Sequence, residues 1–398
     1  MRIRPFWVVL AILVIAVILR PPVAQIGPVL DLIQTKLSLT DTETAFLAAI
    51  PVLCFGFGAF TTPALVRRFG VNSTMVWLLA LLFVAIAARP YLGFIGLIVG
   101  TTLAGLAIAV ANVLLPTVVR ARFPKKVVPL TAGYTTILAA SASFAAAFSY
   151  PSAAQFGWQM ALELWALPAL LALGLSLTLL GGKSDAAQEE PEEHAGDFKL
   201  ISRSPIAWAI IGLFGIQSLG FYVILGWLPT MLISIGLSAT EAGTMLGFAT
   251  IIGVPSGFLL APVLGRVKSL APLAIGASSL TLVGYLLLTQ VIAGQAASAT
   301  WLVYLACAVI GVGQSATFPI SLSLIGTRAI SSAQTTRLSA MAQGWGYLLA
   351  AIGTFAVGAL VDILGSWLIS LLMLVALTAV QAVAGYFSGR PGQISSKS

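Results

Sequence analysis

Apolar residues in this chain neither alternate with polar ones nor recur every three or four positions. They run on for about twenty residues, stop at a short polar stretch, and begin again. A run of that length spans about 30 Å of hydrocarbon as a helix rising 1.5 Å per residue. Such runs fall at 6–34, 42–66, 74–90, 93–120, 127–150, 157–181, 204–235, 240–265, 270–290, 299–326, 334–361 and 365–388. Continuous runs exclude membrane strands, which alternate, and only helices or closed barrels satisfy their backbone in lipid. The pattern predicts twelve membrane-spanning helices. The first run opens with Arg2 and Arg4 like a signal peptide, but no small-residue cleavage site follows and eleven more runs do, so a retained helix is expected.

Composition agrees. Of 398 residues, 59% are hydrophobic and 8% charged, where soluble domains carry about 25% charged residues. Mean hydropathy is +1.04. So few charges cannot clothe a soluble surface, so most of the exterior must face lipid. The net charge of +8 is then no sign of nucleic acid, because its meaning depends on where the bases lie. With the N-terminus inside, seventeen of the twenty bases fall in inner loops or tails. Only Lys36 lies in an outer loop, and Arg20 and Arg89 lie within or at the edge of spans. That asymmetry predicts a multi-pass protein of the cytoplasmic membrane with both termini cytoplasmic. Cys54 and Cys307 sit singly in apolar runs, and His194 is the sole histidine. A disulfide framework, a zinc cluster and a Ser-His-Asp triad are all excluded.

The longest polar stretch, 182–203, holds half of the acids together with His194 and Pro191. It reads as a solvated linker. The expected organisation is a six-helix bundle over 1–181, a cytoplasmic linker over 182–203, and a second six-helix bundle with a short tail over 204–398. The halves echo each other. Residues 28–70 match 229–268, with Pro28 opposite Pro229, Leu37-Ser38 opposite Leu237-Ser238, Thr40 opposite Thr240, Pro63 opposite Pro262 and Arg67 opposite Arg266; Pro116 answers Pro319. A pseudo-two-fold pair of bundles is the expected all-α membrane architecture.

Arg20 carries the most information. It lies some fourteen residues into the first span, roughly 20 Å along a helix, where an arginine should face protein or a watery cavity. Ala24, Gly27 and Asp31 follow on the same helical face, and Gly27-Pro28 is expected to interrupt the backbone ladder. Two roles are open to Arg20: binding an anionic or strongly dipolar substrate, or pairing with Asp31 or Glu163. Other polar side chains at membrane depth are Asn112 in the fourth span, Tyr134 in the fifth, Gln217 and Tyr222 with nearby Trp227 in the seventh, Gln314 in the tenth, and Gln343 and Tyr347 in the eleventh. Amides and phenols fix a small ligand by hydrogen bonds while aromatic faces cover its apolar part; the same groups also join helices to one another.

Several stretches resemble one family. LRPPVAQIGPVLDLI (19–33), NVLLPTVVRARFP (112–124), IQSLGFYVILGWLPTMLISIGLS (216–238), GVGQSATFPISLSLI (311–325) and LSAMAQGWGYLLAAIGTFAVGALVDILGSW (338–367) are similar to the cyanate/nitroimidazole porter branch of the major facilitator superfamily. The resemblance implies the major facilitator fold, with halves that rock to give alternating access, and transport of a small anion or small polar heterocycle without a cofactor. It places Arg20, Asn112, Gln217, Tyr222, Trp227, Gln314 and Gln343 in cavity-lining segments. One loop departs from the superfamily pattern: Pro63 stands where the first glycine is usual and Arg67 where an aspartate is usual.

The expected function is that of a monomeric secondary transporter whose partners are a small-molecule substrate, the lipid bilayer and, as an open question, a coupling proton. A broader drug or metabolite exporter of the same fold is the alternative. An enzyme is not expected, because the spans offer no nucleophile–base pair and no paired carboxylates.

Overall fold

A computed structural model describes residues 5–179, 198–294 and 300–394. His194 and most of the expected linker lie outside the described residues. Among these the chain is helical, with no strand. The helices are α1 (Pro5–Ile18), α2 (Pro21–Ala24), α3 (Ile26–Leu37), α4 (Asp41–Phe69), α5 (Val71–Ala88), α6 (Gly93–Arg122), α7 (Val127–Phe156), α8 (Trp158–Glu163) and α9 (Ala166–Leu179). They continue with α10 (Phe198–Arg203), α11 (Pro205–Ile233), α12 (Ala239–Leu264), α13 (Ala271–Ile292), α14 (Thr300–Arg328), α15 (Ser332–Leu364) and α16 (Trp367–Gly389).

Over the described residues each of the twelve apolar runs is helical apart from short breaks. Among the described residues, eleven helical stretches are long and apolar enough to cross a membrane. The remaining run is α12, 26 residues long with Glu241 as its one charged residue; at 1.5 Å per residue it exceeds the hydrocarbon thickness.

Two expected single helices are interrupted, and prolines explain where. A proline removes the N–H that would bond the carbonyl four residues earlier. Pro21 and Pro22 orphan the carbonyls of Val17 and Ile18, and α1 ends at Ile18. Pro28 orphans that of Ala24, and α2 ends at Ala24. Pro28 itself sits third in α3, where no intrahelical donor is needed. The break expected at Gly27-Pro28 therefore lies one turn upstream, at Gln25, and a second bend at Leu19–Arg20 precedes it. The sixth run is cut in the same way: α8 ends at Glu163 and α9 restarts with Pro168 third.

Helix starts follow capping chemistry. The Thr40 hydroxyl accepts the Glu43 N–H while the Glu43 carboxylate accepts the Thr40 N–H, at 3.3 and 2.8 Å. Ser238 and Glu241 form the same box at 3.3 and 2.9 Å. These reciprocal bonds satisfy two orphan donors at each helix start. The structurally equivalent caps are thus Thr40 and Ser238, a register two residues from the one that paired Thr40 with Thr240.

The chain forms two compact units. One comprises Met1–Asp197 with Ser331–Gly344; the other comprises Phe198–Ile330 with Trp345–Ser398. In the first, α4 and α5 pack on α6, and α1 lies against α7 and α9. In the second, α13 packs on α14 and α16, and α12 on α14. There α12 and α14 touch backbone to backbone: a Cβ on Gly253 would collide with Ser315 and the Gly311 carbonyl, and one on Gly311 with the Ala249 carbonyl. Small residues of this kind let membrane helices approach closely.

The second unit also has a polar clasp at the ends of α14 and α16. Arg328, 9% exposed, donates from Nε to the Ser388 carbonyl at 2.9 Å, from Nη2 to Gly389 at 2.9 Å and from Nη1 to Gly392 at 3.1 Å. The Gly389 carbonyl further accepts the Ser269 hydroxyl at 3.0 Å and the Leu270 N–H at 3.2 Å. The Ile394 N–H returns to the Arg328 carbonyl at 2.9 Å. A cation donating to the last carbonyls of a helix answers both their missing partners and the negative end of the helix dipole.

Candidate functional site

The candidate residues divide between the two units, and each group stands on its own geometry. In the first unit the break between α1 and α2 sets Arg20. It is the N-cap of α2, with φ −113° and ψ −40°, and its carbonyl accepts the N–H of Val23 at 3.1 Å and of Ala24 at 3.0 Å. The side chain is half-buried, and its guanidinium carbon lies 5.9 Å from the centroid of the Phe55 ring on α4. That geometry is a cation–π contact, which holds a positive charge in apolar surroundings without neutralising it. Asp31 is exposed. Glu163 receives the Tyr91 hydroxyl.

Asn112 and Gln343 meet. Pro116 leaves the Asn112 carbonyl without its helical donor, and Gln343 supplies one: its Nε2 lies 3.2 Å from that carbonyl and 2.8 Å from the Ser339 hydroxyl. Asn112 keeps a buried Nδ2 with no hydrogen-bond partner. The Thr117 and Thr336 hydroxyls pair at 3.0 Å further along the same helices. Tyr134 is 1% exposed, buried in α7.

In the second unit α11 and α14 present matching faces. Gln217 Nε2 reaches the Gln314 carbonyl at a long 3.5 Å, and the Ser218 hydroxyl lies 3.4 Å from Gln217 Oε1. Gln314 Nε2 donates to the Tyr285 hydroxyl of α13 at 3.2 Å, leaving Gln314 Oε1 buried and unpartnered. A Cβ on Gly220 would sit 2.6 Å from both Gln314 Nε2 and Tyr285 Oη, so the glycine makes room for this pair. Aromatic rings continue the face on either side. Phe214 stands edge-on to Tyr347 at 5.3 Å and tilted to Phe318 at 6.1 Å, and Tyr347 approaches Tyr222 at 6.4 Å.

Trp227 does not join them. Its indole N–H donates to the Thr354 carbonyl at 3.0 Å and its ring packs against Trp367 at 5.6 Å and beside Gly358. It packs between α11, α15 and α16, apart from the Gln217–Gln314–Tyr285 cluster. Two residues outside the set expected from sequence also emerge. Tyr285 lay unmarked in the ninth apolar run, and Arg89, 1% exposed, is the largest fully buried side chain among the described residues.

Chemically, the two groups supply one guanidinium, several amides and phenols, and aromatic faces. Among the described residues no group of three His, Cys, Asp or Glu could hold a metal ion, and both cysteines are buried free thiols. This is an inventory for holding a small molecule by hydrogen bonds and stacking.

Comparison with known proteins places the chain in context. It matches the Major Facilitator Superfamily over residues 6–354. It is 35% identical over 388 residues to the 2-nitroimidazole transporter of Escherichia coli, covering 96% of this chain and 95% of that protein. It is 34% identical over 394 residues to the uncharacterized transporter YycB of Bacillus subtilis, covering 98% and 95%. Among solved structures it resembles the proton:xylose symporter XylE, with a TM-score of 0.80 at 14% identity over 95% of this chain and 94% of that one.

Proposed function

The chain belongs to the major facilitator superfamily, and from that premise we propose that it carries a small anion or small polar compound, cyanate-like or nitroimidazole-like, across the cytoplasmic membrane by alternating access. As a member of that superfamily it is a membrane transporter. Three things support the finer reading. The 2-nitroimidazole transporter is a relative along nearly the whole chain. A nitroimidazole is small, flat and strongly dipolar and cyanate is a small linear anion, and both suit a guanidinium together with amides and stacked aromatics. The distribution of bases favours termini on the cytoplasmic side.

The observation that carries the proposal is Arg20, half-buried at a helix break with its charge held over a ring. Arginine at membrane depth is expensive and is kept there for a partner or a cargo. Asn112, Tyr134, Gln217, Tyr222, Trp227, Gln314, Gln343 and Tyr347 are proposed to supply the remaining polar and aromatic contacts.

The test is transport into proteoliposomes of cyanate, small carboxylates, nitroimidazoles and nucleobase-like compounds, after a thermal-shift screen of the same panel. Losing one charge-assisted hydrogen bond of about 1.5–3 kcal/mol lowers affinity roughly 10- to 150-fold. Arg20→Ala should therefore abolish transport at sub-saturating substrate, while Arg20→Lys keeps part of it because the charge survives without the planar fork. Normal transport by the alanine variant would remove Arg20 from the mechanism.

A further inference from the structure

Arg89 is a whole guanidinium placed where none should be comfortable. It follows directly after α5, is 1% exposed, and its side chain has one hydrogen bond, from Nη1 to the Pro22 carbonyl at 3.0 Å. Its Nε and Nη2 are buried without a hydrogen-bond partner. The tight fit around it is built in: a Cβ on Gly100 would collide with the Arg89 side chain, and one on Gly96 would lie 3.3 Å from the Arg89 carbonyl. A buried charge with incomplete pairing is costly, so its surviving bond shows what the placement achieves.

That bond ends two residues from Arg20. Pro22 lies in the four-residue helix α2 (Pro21–Ala24), for which Arg20 is the N-cap. Within this turn Val23 and Ala24 donate to the Arg20 carbonyl and Gln25 donates to that of Pro21 at 3.0 Å. A turn this short cannot hold itself, because isolated helices need many more residues to be stable. Two side chains tether it. Arg89 grips the Pro22 carbonyl, and fully buried Gln25 donates from Nε2 to the Leu162 carbonyl at 3.1 Å, next to the break between α8 and α9.

We propose that Arg89 is a positioning residue: its hydrogen bond to the Pro22 carbonyl fixes the turn that aims Arg20, and so sets substrate affinity without touching substrate. The inference rests on the proposed role of Arg20 only for its effect on transport. Its structural half stands alone, since the geometry of residues 19–26 depends on a donor at position 89 whatever the cargo is.

The experiment has two arms on the full-length protein. In the first, hydrogen–deuterium exchange compares wild type, Arg89→Leu and Arg89→Gln. The leucine variant fills space but cannot donate, whereas the glutamine variant is neutral yet keeps an amide donor. Exchange at Val23, Ala24 and Gln25 should rise at least tenfold in Arg89→Leu, stay near wild type in Arg89→Gln, and leave α6 and the second unit unaltered. Equal rises throughout the chain, or none at 23–25, would overturn the proposal.

In the second arm, uptake of 2-nitroimidazole into proteoliposomes separates KM from kcat. Arg89→Leu should raise KM about tenfold, equivalent to about 1.4 kcal/mol, with kcat little changed, and Arg89→Gln should restore most of it. A fall in kcat at constant KM, or no rescue by glutamine, would refute the positioning role. If the wild type does not move 2-nitroimidazole, the substrate reading fails by itself and the exchange arm still decides the role of Arg89.

Discussion

Arg328→Ala is the substitution whose cost the structure specifies most closely. Three N–H groups of one guanidinium donate to the carbonyls of Ser388, Gly389 and Gly392 at 2.9, 2.9 and 3.1 Å. A hydrogen bond from a charged donor contributes about 1.5–3 kcal/mol. Bonds sharing one side chain are not additive, and the Ser388 and Gly389 carbonyls that lose this donor are buried. Truncation to alanine also removes the charge, so no unpaired cation is left behind. These considerations place the local loss at about 2–4 kcal/mol. Because the Leu270 and Ile394 amides bond to the Gly389 and Arg328 carbonyls, their hydrogen exchange reports directly on opening of the clasp. A loss of 2–4 kcal/mol corresponds to roughly 30- to 900-fold faster exchange where opening limits it. Arg390→Ala is the control: that arginine is exposed and lies 5.2 Å over the Tyr386 ring, a contact of about 0.5–1 kcal/mol. If exchange at residues 389–394 rises no more in Arg328→Ala than in Arg390→Ala, the clasp contributes nothing and the reasoning fails.

Two further outcomes are expected. Gly220→Ala forces a Cβ to within 2.6 Å of Gln314 Nε2 and Tyr285 Oη. It should break their hydrogen bond and lower thermal stability by an amount typical of overpacking, about 1–3 kcal/mol; an unshifted melting curve would show that the pair can yield. The Tyr91 hydroxyl donates to the Glu163 carboxylate, and that bond raises the phenol's pKa above its ordinary value, with burial adding to it. A raised folded-state pKa means the contact is intact below about pH 10, the unfolded value, and is lost as pH rises through the folded one. Ultraviolet phenolate titration should show one fewer late-ionising tyrosine in Tyr91→Phe than in the wild type.

Helix placement was legible because lipid leaves no alternative: an apolar run of twenty residues must satisfy its own backbone, and every such run is helix here. The breaks were less so. Gly27-Pro28 draws the eye as a helix breaker, but a proline acts on the carbonyl four residues behind it, and Pro21-Pro22 were passed over although they end α1. Polar residues expected at depth proved buried, Gln217, Gln314 and Gln343 among them. Their partners were not visible in sequence. Nothing in the spacing tells that Gln343 meets the carbonyl released by Pro116, or that Gly220 is small so that Tyr285 can reach Gln314. Trp227 shows the converse limit. The sequence places it on a helix of interest but does not tell that its N–H bonds the Thr354 carbonyl. Arg89 stood at the edge of its span in the sequence; only three-dimensional packing reveals that it is enclosed.

The glycines at 253 and 311 leave α12 and α14 with no side-chain cushion where they cross. Two rods seated spine against spine at that crossing travel as one strut, since sliding by even one residue would drive a carbonyl into a Cα. Any flexing of α12 during a working cycle is thereby directed to the stretch beyond the crossing, where Pro262 already loosens its ladder.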